Sequence, residues 1–403
     1  MNSPPDELMT SLSEYLSLDP LSCYSLPPEA YTDLGLYALE LDAIFRKEWL
    51  CVGREEYIPT RGDYYCINIL DESLVVVHGQ DGVIRALSNI CRHRFMPVVQ
   101  GSGNTKRFVC PYHAWTYETD GSLYAAPFMK GSSVFDKSLC SLPSYRLETW
   151  CGFLFINLDD SAPPLLEKMH TANQCLVNYR LNEQTEIMHY QTEWAGNWKL
   201  SAENSMEYYH HVGLHKDTVG GQLPAKNTYL PASPEDSSFT HERCRMDEAY
   251  IGGEDHPFNP MGNLDTFSDE DLYTGYMVYI FPAFTMAMRP NTNNWLSFSP
   301  AGISNTRVLG GYLVSNEVAR EHPNIAEERR ELILKVNEED AKATTELSKV
   351  MRSSKAQRGP LSPFEGTLVE FYRYLARSLM DSESTSPGRK SATVGSAEKI
   401  VND

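Results

Sequence analysis

The chain has 403 residues, 41% of them hydrophobic, a formal net charge of −19 and nine cysteines. That is apolar mass enough for a sizeable core, in a length that suggests two domains or one large one with an insertion. The charge argues against nucleic acid and against an anionic membrane surface as partners, and no apolar run approaches a membrane span. An odd, widely spaced set of cysteines reads as reduced thiols, so a cytoplasmic setting is expected. The opening MNSPPDELMTSL has neither the basic nor the apolar part of a secretory signal.

Residues 1–47 carry helical spacing. Apolar positions recur at helical intervals in DELMTSLSEYLSL, and a second such run, EAYTDLGLYALELDAIFRKEWL, follows Pro27 and Pro28. Over 48–160 the pattern changes to short alternating runs (WLCVGR, YYCINI, SLVVVHG, VIRALSNI) between Gly and Asp turns, which predicts an all-β domain closing at the SAPP linker. Residues 161–380 form a mixed domain. The stretch 163–181 reads as helical, and the run from His189 to His215 starts as a strand and passes into a helix. Residues 217–270, rich in Gly, Pro, Asp and Ser, read as a long irregular segment, either a solvated loop or a lid. Strands return in YTGYMVYIFPAFTMAMRP, NWLSFSPAG and TRVLGGYLVS. A long helix over 322–353 starts at Pro323, and an amphipathic helix covers 363–380. Residues 381–403 have almost no apolar content and are expected to be a disordered tail. The fold class expected is α+β.

Two clusters carry chemistry. The first is Cys91-x-His93 with Cys110-x-x-His113. With 9 Cys and 11 His in the chain, chance would give that spacing on the order of 10⁻⁴ times. A structural zinc would gather all four ligands tetrahedrally. A Rieske [2Fe–2S] cluster takes two thiolates on one iron and two imidazoles on the other, so each arm must give one ligand to each iron. One Cys and one His per arm suits the second arrangement; a zinc-stabilised binding protein is the non-enzyme alternative.

The second cluster, NWKLSAENSMEYYHHVGLH, holds Glu203, Asn204, Glu207, His210, His211 and His215. On a regular helix His211 and His215 share a face. His210 and His215 converge only if the helix breaks, which Gly213 would permit. Non-haem iron sites for O₂ need one carboxylate beside two imidazoles. The acidic run Glu338, Glu339, Asp340 can supply it, although a solvated helix face is its plain reading.

CRHRFMP with CPYHAWTYETDG resembles the Rieske motif in the large (α) subunits of ring-hydroxylating and demethylating oxygenases, and the likeness extends over about residues 40–375. It implies that Cys91 and Cys110 hold the buried iron and His93 and His113 the outer one. It implies a helix-grip catalytic domain, an antiparallel sheet with helices, on which the N-terminal helices pack. Glu207-x-x-His210-x₄-His215 matches the family's acidic–His–His pattern, so His210 and His215 become ligands of a mononuclear Fe(II), with Asp340 as the third and Glu339 its nearest competitor. His211 is then a pocket-lining or supporting residue, and Asn204 a hydrogen-bonding or weak ligand group near the iron. Glu207 would bridge a Rieske histidine of one subunit to an iron-ligand histidine of its neighbour, which implies a homotrimer. The resemblance further implies a separate NAD(P)H-dependent reductase or ferredoxin. It also implies insertion of O₂-derived oxygen into a small aromatic substrate by hydroxylation, dihydroxylation or demethylation. Glu at 207 is similar to choline, betaine and carnitine monooxygenases, whose quaternary ammonium chemistry is the alternative, although HHVGLHKDT departs from the form of that branch.

Arg92, Arg94, Lys106 and Arg107 around the first cluster form a candidate docking patch for an acidic electron donor, or ordinary surface charge. Tyr273, Tyr276, Met277, Tyr279, Phe281, Phe284, Met286 and Met288 are pocket or core. Arg289 ends that run. Solvent exposure at a strand end is its ordinary reading, and bidentate binding of a carboxylate the functional one.

Overall fold

The computed structural model describes residues 3–231, 238–251 and 260–385. The chain opens with α1 (Asp6–Ser13), α2 (Glu29–Thr32) and α3 (Leu34–Glu40). Asp33 caps α3 by accepting the Leu36 N–H. Leu8, Leu12, Leu36 and Phe45 from this region share one core with Leu368, Phe371 and Leu375 near the C-terminus.

Ten strands follow: β1 (Leu50–Arg54), β2 (Asp63–Ile69), β3 (Glu72–His78), β4 (Ile84–Ser88), β5 (Ser102–Asn104), β6 (Arg107–Val109), β7 (Thr116–Glu118), β8 (Leu123–Ala125), β9 (Ser144–Trp150) and β10 (Phe153–Asn157). They build a seven-stranded sheet, β1-β10-β9-β4-β3-β2-β5, and a three-stranded sheet, β6-β7-β8. β3 shows why. Its residues Leu74 to Val77 are all fully buried, and side chains alternate faces along a strand. Val75 and Val77 pack with Cys91, Cys110, Trp115 and Tyr117, while Leu74 and Val76 face the core shared with the N-terminal helices and the second sheet. Each such valine is worth about 1.5–3 kcal/mol when fully buried. β3 is thus the floor on which the Cys/His loops stand.

After α4 (Leu165–Lys168) and α5 (His170–Leu176) the second half begins with β11 (Gln184–Ala195) and α6 (Trp198–Asn204). It continues through β12 (Thr228–Tyr229), β13 (Phe239–Arg245), α7 (Asp269–Leu272), β14 (Thr274–Ile280), β15 (Phe284–Arg289), β16 (Thr292–Pro300) and β17 (Asn305–Ser315). It ends in α8 (Asn316–Glu321), α9 (Ile325–Val350) and α10 (Gly366–Thr385). The sheet order is β11-β17-β16-β15-β14-β13-β12, with antiparallel pairing throughout. The 26-residue α9, about 39 Å long at 1.5 Å per residue, packs against β11 and α6. Its buried positions Ile333, Asn337, Asp340 and Thr344 recur at steps of four, three and four residues and form one stripe. The α+β class is as expected.

Three local expectations are corrected, and the helix expected over 322–353 is found as α9, with the short α8 ending before Pro323. His322, before the proline, is held at φ −122° and ψ 68°, because a proline disfavours helical backbone in the residue preceding it. The irregular stretch 217–270 contains β12, β13 and α7. β13, FTHERCR, hides its strand character because it buries Thr240, His241 and Glu242 as well as Phe239. The helix expected through His215 ends at Asn204, and the histidines sit on a 3₁₀ turn, Tyr209–Val212, and the turns after it. The tail expected from 381 is helical through Thr385, and 386–403 lie outside the described residues.

Candidate metal centres

The two Cys/His arms are built alike. Cys91 N–H donates to Met96 O at 2.9 Å and Phe95 N–H donates to Cys91 O at 3.1 Å; Cys110 N–H donates to Trp115 O at 2.8 Å and Ala114 N–H donates to Cys110 O at 3.0 Å. In each arm the residue four after the cysteine takes a left-handed conformation, Phe95 at φ 61° and Ala114 at φ 59°. Such backbone is costly for a residue with a Cβ and persists only where the surroundings impose it. Both cysteines are 2% exposed, whereas His93 is half-buried and His113 exposed. The imidazoles face each other, Nδ1 to Nδ1, at 3.2 Å, and the two thiols interact side by side. Thiol pairs with thiol and imidazole with imidazole. That layout fits a two-metal group with a sulfur end and a nitrogen end better than one tetrahedral ion. The Tyr117 hydroxyl lies 3.3 Å from Cys91 Sγ and accepts the Arg92 N–H at 3.0 Å; spacing alone gave no sign of this phenol. Of the basic patch, Arg107 is spent on Glu118 at 2.9 Å, and Arg92, Arg94 and Lys106 remain exposed.

In the second half α6 delivers Asn204, and the 3₁₀ turn delivers His210 and His211. The three rings of His210, His211 and His215 lie 4.9–5.1 Å apart, centroid to centroid, and a ligand atom from each falls within 4.8 Å of the others. The i, i+4 argument for His211 with His215 does not apply, because no α-helix runs through them. Gly213 is not what permits the bend. Its φ is −111° and an added Cβ there would meet nothing within 4 Å. Gly220 is the tight position: its Cβ would lie 2.4 Å from His211 O and 2.8 Å from His215 O.

Carboxylates orient the rings. His210 Nδ1–H donates to Glu207 Oε1 at 2.8 Å, and the His210 backbone N–H to Glu207 Oε2 at 2.8 Å. His215 Nδ1–H donates to Glu339 Oε2 at 2.7 Å, and Thr218 Oγ1–H to the same oxygen at 2.8 Å. His211 Nδ1–H donates to Leu223 O at 3.0 Å. Nε2 of His215 then faces Asp340 Oδ1 at 2.9 Å, with His210 Nε2 at 3.9 Å from that oxygen. Asp340 Oδ1 is buried and has no hydrogen-bond partner among the described residues. With its proton on Nδ1, a neutral His215 turns a lone pair toward a carboxylate oxygen. Two acceptors so placed repel, and a cation between them resolves the conflict. Adjacent Glu339 and Asp340 therefore hold opposite sides of one ring. Burial opposes the charging of His210, but Glu207 and Asp340 outweigh it and its pKa lies above the ordinary imidazole value. Burial, together with the neighbouring His210 and His215, drives His211 well below that value.

These histidines and Asp340 form one wall of a cavity of about 150 Å³, also lined by Asn204, Val219, Leu223, Leu296, Ile333 and Val336. Of the aromatic and methionine run, only Met277 and Met288 reach it; Tyr276, Phe284 and Met286 are core. Arg289 is buried at 7% exposure and lines the cavity. The expectation of a solvent-facing arginine fails because the pleat of β15 turns Thr285, Ala287 and Arg289 to the same side.

The family described as Rieske [2Fe-2S] domain matches residues 48–146, and that described as ring hydroxylating alpha subunit (catalytic domain) matches 181–381. The carnitine monooxygenase oxygenase subunit of Acinetobacter baumannii is 34% identical over 207 residues, 49% of this chain and 54% of that protein. The benzene 1,2-dioxygenase subunit alpha of Pseudomonas putida is 34% identical over 207 residues, 49% of this chain and 46% of that protein. The chain thus spans about half the length of the curated relatives it matches. A naphthalene 1,2-dioxygenase structure from Rhodococcus sp. superposes with a TM-score of 0.77 at 20% identity, covering 95% of this chain and 100% of that one, a likeness of fold. No helix among the described residues is long and apolar enough to cross a membrane. The two cofactors that go with this pair of domains are a Rieske [2Fe–2S] cluster and a mononuclear Fe(II). With the Cys/His arms in one half and the His/carboxylate cavity in the other, the chain belongs to the Rieske oxygenase family, in which a Rieske [2Fe-2S] domain is joined to the catalytic domain described for ring hydroxylating alpha subunits.

Proposed function

We propose that this chain is the terminal oxygenase of a multicomponent system: it takes electrons from a separate reductase or ferredoxin and inserts O₂-derived oxygen into a small organic substrate. The observation that carries the reading is the buried Asp340 Oδ1 facing His215 Nε2 at 2.9 Å on the wall of an apolar cavity. In this reading Cys91 and Cys110 hold the inner iron of the cluster and His93 and His113 the outer one, and His210, His215 and Asp340 hold Fe(II). The cluster would supply one-electron transfer and the Fe(II) would supply O₂ activation. The protein residues do the rest. Glu207 and Glu339 fix the tautomers and ring planes of His210 and His215 by taking their Nδ1 protons. Asn204 offers a polar group beside the triad, and His211 a neutral ring whose Nε2 faces the same space. The apolar walls keep water from the reacting carbon.

Glu207 has a second role here, as the link to a Rieske histidine of a neighbouring chain. A carboxylate has about four lone-pair sites, so its two bonds to His210 leave capacity for another donor. The exposed rim near the cluster loops, with Phe95 at 85% and Val134 at 91% exposure, suits contact with another chain, and we place the protein in a homotrimer. The nine cysteines, none of them in a disulfide, suit a reducing compartment such as the cytoplasm.

A second reading, monooxygenation of a quaternary ammonium compound, is favoured by the likeness to a carnitine monooxygenase subunit and by Glu at 207. The cavity weighs against it: beyond the histidines the only aromatic residues among its described lining are Tyr208 and Tyr312, short of the cage such a cation prefers. The test is low-temperature EPR of the protein, oxidised and reduced, with iron and zinc counted per chain. The expected result is a reduced Rieske signal and about three irons. Zinc without iron after anaerobic preparation would overturn the reading. Glu207→Gln should keep both metals and lose turnover; normal turnover would remove the bridge.

A further inference from the structure

Arg289 has no part in holding either metal, yet it is a cation inside the cavity. It closes β15, paired in register with Thr292 of β16, and its backbone N–H donates to Asn293 Oδ1 at 3.1 Å. Its charge is felt by Tyr208, Tyr312 and His211, all of which line the same space. Arg289 is the only lysine or arginine among the described lining residues. The remaining surface is mostly aliphatic, from Val219, Leu223, Leu296, Leu332, Ile333 and Val336. Burial works against the guanidinium charge and lowers its pKa, yet an arginine stays protonated in proteins.

We propose that Arg289 is the specificity residue of this cavity and that it binds the carboxylate of a monocyclic carboxylic acid. The volume of about 150 Å³ is that of a cavity known to hold one benzene ring. An anionic group on one side of such a ring meets Arg289, and the His210–His215–Asp340 wall faces the rest. A guanidinium in a low-dielectric site favours planar, bidentate recognition of a carboxylate. It also disfavours a cationic head group at the same place. This inference rests on the oxygenase reading above, whose substrate class it names.

The test uses the iron-loaded protein and two probes of one shape, benzoate and benzamide, with binding measured by calorimetry at pH 7.5. Charged hydrogen bonds predict that benzoate binds about tenfold to a hundredfold more tightly than benzamide. Arg289→Gln should erase that preference by weakening benzoate far more than benzamide, and Arg289→Lys should keep part of it. Equal binding of the two probes by the wild-type protein, or equal loss of both in Arg289→Gln, would overturn the proposal. The wild-type comparison stands even if Arg289→Gln does not fold. EPR and iron counts on the same samples separate the outcomes: missing metal centres defeat the oxygenase reading, whereas intact centres without a carboxylate preference defeat this inference alone.

Discussion

Gly220→Ala is expected to dismantle the mononuclear site while leaving the Cys/His loops intact. Gly220 N–H donates to His215 O at 2.8 Å, so its backbone lies against the histidine segment. An alanine Cβ would stand 2.4 Å from His211 O and 2.8 Å from His215 O, and real Cβ atoms essentially never come within 3.0 Å of such neighbours. Both obstacles are backbone atoms, so no rotamer change relieves them. The backbone must retreat by about 0.6 Å at His211, next to the proposed ligand His210, and by about 0.2 Å at the proposed ligand His215, where ligand positions in a metal site hold to about 0.2 Å. Overpacking of this kind costs about 1–3 kcal/mol of stability, and a misplaced ligand should weaken the metal by at least the roughly 10–100-fold seen when supporting groups are lost. The assay is Fe(II) retention against a chelator, read beside the Rieske EPR signal and a thermal melt. Unchanged Fe(II) retention in a folded Gly220→Ala protein would refute the steric argument.

Asp340→Asn should abolish mononuclear iron binding, whereas Glu339→Gln should weaken it by about 10–100-fold through a looser His215; iron counts that came out in the reverse order would transfer the ligand role to Glu339. A pH effect is expected from Glu203. Burial raises its pKa to about 8, against the hydrogen bonds of Tyr31 and Tyr372 and the charge of Lys199, and the Tyr31 hydroxyl donates to Oε1 at 2.7 Å. A carboxyl that is protonated when folded and ionised when unfolded adds its stability fully below its unfolded pKa of about 4.3. That contribution is lost at about 1.4 kcal/mol per pH unit as the pH rises toward 8. Chemical denaturation of Glu203→Gln between pH 5 and 8 should show a shallower decline than wild type, and identical slopes would remove Glu203 as its source.

Local patterns made parts of this molecule legible. The run ESLVVVH, read in the sequence as a strand, is β3, which is buried on both faces. Fixed spacing within short loops predicts that each arm carries one Cys and one His close together, because a ligand two or three residues away cannot stray far from its cysteine. β13 was not legible, since a strand that buries Thr240, His241 and Glu242 carries no apolar alternation. The turn after Asn204 was not legible either, because the close approach of Gly220 to the histidine backbone comes from beyond the turn.

What the sequence by itself determined is the donor chemistry: thiolates and imidazoles in two arms, histidines and an acidic run in the other half, and the strands and helices that carry them. The tertiary structure decided which atoms meet. Glu339 and Asp340 are neighbours in sequence and equal in charge, yet α9 turns them to opposite nitrogens of His215. Arg289 reads as a strand end, yet the pleat of β15 and the cover of α9 enclose it in the cavity. Composition and spacing act over a few residues. The side of a ring or the face of a sheet that a group occupies depends on contacts made more than a hundred residues away, such as those between His215 and α9.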